Sequence, residues 1–220
     1  MGQYYKPYLR DREGAERVFN SQNAIYRTLR DTDEEFGFGT ANGIPSDYYD
    51  HFSGLKLMEH SWLENDFVNG VLEAIWDNPC QVAWVGDYAD DLRDFSSRYT
   101  QEVYGTVWGN ESMPDGRFDA MPSTHRDGYL VNVTRGQYID MADYAEAATY
   151  KPKWSKEGGW CIHPLPLLTA IGNGRGGGDY HGAHMELVGL WAMDEIAYTQ
   201  DAAKVEWLER LRGGWFREED

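Results

Sequence analysis

Residues 63–91 read LENDFVNGVLEAIWDNPCQVAWVGDYADD, and they decide the fold. Phe67, Val68, Val71, Leu72, Ile75 and Trp76 recur at helical spacing, which draws one apolar stripe along an amphipathic helix. Asn65 or Asp66 can cap its start, and Pro79 cannot continue it. From Cys80 the pattern changes to CQVAWV, a β-branched and aromatic run that ends in Gly86–Asp87. Helix, buried strand and acidic turn make an α/β unit. A carboxylate just past a strand end is well placed for general acid or base chemistry, so Asp87 is a candidate. Asp90, Asp91 and Asp94 read as solvent-facing or capping groups.

Upstream, residues 3–10 (QYYKPYLR) read as a strand that Pro7 confines to an edge or makes irregular. Residues 16–20 supply its hairpin partner, and residues 32–50 read as a long acidic loop. Downstream come a helix within residues 90–108, a loop over 110–126 and strands at 129–134 and 137–140. A short alanine-rich helix follows at 141–149. Residues 160–170 read as another strand, bent or peripheral because of Pro164 and Pro166. Residues 186–191 and 195–199 read as a hairpin turning at Met193–Asp194, and 202–211 as a charged terminal helix. The expected fold is α+β, one domain over 1–220, with a mixed first half and a strand-rich second half.

The densest chemistry lies in residues 158–191, GGWCIHPLPLLTAIGNGRGGGDYHGAHMELVGLW. Six glycines fall in the thirteen positions from Gly172 to His184. Glycine permits positive φ and close backbone approach, so the amides of Gly174, Arg175, Gly176, Gly177 and Gly178 can surround an anion, with the Arg175 guanidinium closing the site. Asn173, Asp179, Tyr180, His181 and His184 complete the candidate ligand set, and Trp154, Trp160 or Tyr180 can stack on a planar ring. The letters fit neither the G-x-x-x-x-G-K-[ST] loop nor a dinucleotide fingerprint opening a helix.

His163, His181 and His184 join Asp87 as catalytic candidates, without a complete constellation. The glycines around His181 and His184 break the helical spacing that a two-histidine metal site needs, so no metal and no cofactor are expected. Glu59–His60 stands alone, and there is no G-x-S-x-G elbow. On an extended strand Cys161 and His163 would share a face, the one route to a thiol nucleophile.

Composition narrows the partners. With 37 acidic and 20 basic residues the net charge is −17, which repels phosphate backbones and disfavours an extended nucleic-acid face, though not a small anionic ligand. Nine tryptophans and fifteen tyrosines suit ring-stacking pockets and shared surfaces, so a homo-oligomer is compatible. MGQYYKPYLR lacks the apolar core of a secretory signal, and no apolar run reaches the roughly 18–20 residues of a membrane span. Two cysteines in unrelated contexts fit reduced thiols in a soluble cytoplasmic protein.

Four stretches, MGQYYK, GLKLMEHSW, VAWVGDYAD and HPLPLLTAIGNGRGGGDYHG with its sequel VGLWAMDEI, together resemble an uncharacterised family of phages and gut bacteria. The resemblance spans almost the whole chain and supplies no residue roles. It implies a host-takeover or counter-defence protein, a class in which some members sequester nucleotide second messengers of bacterial immunity. The expected function is therefore a soluble binder of a nucleotide-like or phosphorylated small molecule. The alternatives are a hydrolase that cleaves such a molecule and an acidic protein that docks on a host protein.

Overall fold

A computed structural model describes residues 2–19, 56–61, 66–90, 98–109, 127–150, 160–161 and 163–211. Strand β1 (Tyr5–Arg10) forms a hairpin with β2 (Glu16–Val18) and lies antiparallel on β3 (Cys80–Gly86). Between them come two helices, α1 (Leu57–His60) and α2 (Asp66–Ala74), and after β3 comes α3 (Arg98–Gly109). Then follow β4 (Tyr129–Asn132), β5 (Gln137–Asp140), helix α4 (Met141–Ala148), and the isolated pair β6 (Thr149–Tyr150) and β7 (Trp160–Cys161). Helix α5 (Pro164–Leu168), β8 (Ala170–Ile171), β9 (Glu195–Thr199) and β10 (Glu209–Arg210) complete the described chain. One sheet runs β10-β5-β4-β9-β3-β1-β2, with β8 also on β3, so the fold is α+β.

The apolar run of β3 is explained by cover on both faces. Val82 and Trp84 pack into a core with Phe67, Val68, Val71 and Leu72 of α2 and Leu165, Leu167 and Leu168 of α5. Ala83 and Val85 face the other way, onto Val103 and Val107 of α3. One edge of β3 is divided between two partners. Cys80 and Gln81 pair antiparallel with β9, whereas Trp84 and Val85 pair parallel with β8. Between them Val82 exchanges backbone bonds with Met193 and Asp194, where Met193 takes a positive φ of 64°.

Several sequence expectations are corrected. Pro7 lies one strand inside the edge, paired with Trp84 and flanked by β2. Its carbonyl accepts from Phe19 N–H, so its ring nitrogen points toward the same side, just past the three-residue β2, and little pairing is lost there. Trp76 leaves the buried stripe, because the helix stops at Ala74 and the chain straightens to bridge Tyr198. Its ring is 38 % exposed and meets Tyr198 edge-on at 5.2 Å.

Residues 160–170 are not one strand. Pro164 and Pro166 fall in the first turn of α5, where no backbone N–H is needed, so they start a helix instead of bending a strand. Residues 186–191 make a short 3-10 turn and loop, tied to α5 by Gly189 N–H to Leu167 O and Trp191 N–H to Leu168 O. Residues 202–211 form a 3-10 turn capped by Asp201 and then β10, parallel to β5; Val205 and Leu208 pack into a small core there, and Leu211 packs against the main one. Three described strands, β1, β2 and β3, lie in the first half among three helices and seven, β4 to β10, in the second, so the first half is mixed and the second strand-rich. The expected loops over 32–50 and 110–126 lie outside the described residues. Among those residues no helix is long and apolar enough to cross a membrane.

Candidate functional site

Parallel pairing of β3 with β8 brings their C-terminal ends to the same side of the sheet. Asp87 follows one end and Gly172 the other, so two candidates far apart in sequence become neighbours in the fold. The glycine loop turns through positive φ at Gly172 (100°), Gly174 (91°) and Gly178 (87°). Three consecutive amides, those of Gly174, Arg175 and Gly176, converge as an anion-binding nest would require.

The anion in that nest belongs to the chain. Asp179 Oδ2 accepts all three amides at 2.8, 2.8 and 2.9 Å, and its Oδ1 accepts the Tyr5 hydroxyl at 3.0 Å. The carboxylate is buried, at 4 % exposure. Asn173 locks the base of the loop, donating to Tyr180 O at 3.0 Å and accepting Tyr180 N–H at 2.8 Å. Arg175 Nη1 donates to Tyr88 O at 2.8 Å, which holds its side chain against the turn after β3. Burial first, then the Asp179 carboxylate, pushes the Tyr5 phenol far above the ordinary tyrosine range.

The glycines serve packing at least as much as ligand approach. A Cβ at Gly86 would stand 2.0 Å from Gln3 Nε2, one at Gly172 2.8 Å from the same atom, and one at Gly176 2.4 Å from Gln3 Cβ. Gln3 is wholly buried among them. At Gly178 a Cβ would strike the carbon stem of Lys56 at 2.3 Å. Gln3, Tyr5 and Lys56 are the site residues that the sequence did not disclose. None of the three carries a local signal of contact with a loop more than 100 positions away.

Asp87 sits as expected, past β3. Its Oδ1 accepts Tyr4 N–H at 3.0 Å while its own N–H donates to Tyr4 O at 2.8 Å. Burial raises its pKa above the usual aspartate value, and the charge of Asp179 adds to the rise. The other catalytic candidates do not gather around it. His163 is buried and caps α5, its Nδ1 accepting Leu165 N–H at 3.1 Å. His181 is exposed. His184, also exposed, is left-handed (φ 59°) and faces Glu186 Oε1 at 3.0 Å. Tyr180 is buried, its hydroxyl donating to Ala183 O at 2.6 Å, so its ring is not a stacking face.

No group of three metal-ligating side chains forms among the described residues. The extended geometry that would align Cys161 with His163 is replaced by the start of α5. The side chains of Trp160, Cys161, Glu59 and His60, and all of Trp154, Asp91 and Asp94, lie outside the described residues. Compared with protein-family models, curated proteins and solved structures, the chain matches none.

Proposed function

We propose that the protein binds a small anionic, nucleotide-like molecule at the rim of the glycine loop, and that it acts in the cytoplasm as a phage counter-defence protein that sequesters an immune nucleotide signal. The observation that carries this proposal is the guanidinium of Arg175, held by Tyr88 O at the edge of a loop already folded around Asp179. A prefolded loop loses little entropy on binding, and a fixed guanidinium offers a fork to phosphate. Because the amides of Gly174, Arg175 and Gly176 are engaged by Asp179, phosphate falls to the side chains of Arg175 and Lys56. His181 and His184, exposed beyond the loop, then face the sugar or base. A buried free Cys80 fits a reducing compartment.

A hydrolase is the second reading, favoured by the raised proton affinity of Asp87 at a strand end beside the same loop. Native mass spectrometry followed by denaturation, with incubation against cyclic and NAD-derived nucleotides, separates the two. Intact nucleotide released from the protein supports sequestration, and product supports hydrolysis. Neither, with salt-sensitive capture of a basic protein instead, overturns both in favour of an acidic docking protein. In the binding case Arg175→Ala weakens affinity by about 1.5–3 kcal/mol, the scale of a charge-assisted hydrogen bond. Unchanged affinity in a folded variant removes Arg175 from the site.

A further inference from the structure

We propose that residues 2–5 are a releasable latch on the glycine loop, with Gln3 the positioning residue that keeps it releasable. Each fixed point of the site receives a bond from this segment. Gly2 bridges Gly177, and Gln3 N–H donates to Gly177 O at 3.1 Å. Tyr4 exchanges two bonds with Asp87, one through the carboxylate and one through the backbone. Tyr5 reaches the carboxylate that fills the nest. Loop, nest and strand-end acid are thus tied to four consecutive residues.

Gln3 works against that closure. Its side chain is fully buried between Gly86, Gly172 and Gly176, and neither its Nε2 nor its Oε1 meets a hydrogen-bond partner among the described residues. Burying an amide without partners disfavours the closed arrangement, and opening returns that amide to water. The latch bonds and the Gln3 penalty oppose each other, so the segment opens well below the free energy of global unfolding. When it opens, Tyr5 leaves Asp179 and Gly177 is unpinned, and the loop and the Asp87 turn loosen together. This device is independent of any ligand, because its signature is in the ligand-free protein.

Hydrogen exchange at the amides of Gly174, Arg175 and Gly176 tests it, with amides of β4 and β9 as internal reference. Gln3→Met keeps length and removes the unmet polar atoms, and slows loop exchange about tenfold. Gly86→Ala forces Gln3 out, since its Cβ would lie 2.0 Å from Nε2, and speeds loop exchange about tenfold while β4 and β9 hold. Adding Gln3→Ala to Gly86→Ala returns the loop toward native exchange. The latch is overturned if Gly86→Ala leaves the loop unchanged, or if folded Gln3→Met exchanges no more slowly than the parent. Where Gly86→Ala does not fold, Gln3→Met decides alone.

Discussion

Asp179 is the residue on which the loop turns. It meets three amides and one hydroxyl in a buried setting, so Asp179→Ala strands four donors and costs about 3 kcal/mol or more in chemical denaturation. Tyr5→Phe removes one of the four and costs about 2 kcal/mol. Phenol titration gives a second view. Burial is the leading cause in Tyr5, Tyr8 and Tyr198, with Tyr198 pushed up to about 12 and the other two further. All three fold as neutral phenols, so their contribution is complete below the ordinary tyrosine value of 10.0 and is lost as pH climbs through their native values. Absorbance at 295 nm shows them ionising last, and Tyr5→Phe leaves the signal at about pH 11 unchanged. Asp87 has the opposite consequence. Its raised pKa means that the native state holds the proton more tightly, so stability falls as pH rises from the ordinary aspartate range through the native value. Asp87→Asn keeps an acceptor for Tyr4 N–H and removes the charge, so its melting temperature gains on the parent between pH 4 and pH 7. A gap that does not widen with pH would show that Asp87 ionises without penalty.

At the scale of elements, what the sequence disclosed was what repeats locally. The stripe of α2 and the run of β3 were legible because periods of 3.6 residues and of two need only near neighbours. α5 is hidden in the sequence, because two prolines suggest a bent strand, whereas His163 caps them into a first helical turn. His163→Ala therefore costs about 1–2 kcal/mol in equilibrium unfolding, and His163→Asn, a good cap, recovers part of it. An unchanged His163→Ala would mean that the prolines alone start the helix. The run of glycines marks a loop, but nothing local says that Asp179 takes up its amides. Tyr5 and Asp179 lie 174 positions apart, and Gln3 fills space that the glycines seemed to reserve for a ligand. Long-range contact of this kind has no period.

For the whole molecule, charge is the dominant long-range term. A net −17 repels itself, while the described ion pairs such as Arg12–Glu195 and Lys204–Asp77 are largely exposed and contribute little. Added salt screens both, and the repulsion is the larger, so the melting temperature rises between low salt and about 0.15 M. A fall would show that local pairs outweigh the global field. The divided edge of β3 matters before the protein is finished. Its partners there are Ala170–Ile171 and Glu195–Ile196, both made long after Cys80–Gly86 has left the ribosome. During synthesis an apolar strand, VAWV, waits with one side unpaired, open to the same strand of a neighbouring nascent chain. Slowed translation lengthens that interval, and chaperone cover over it keeps the strand from pairing with the wrong chain.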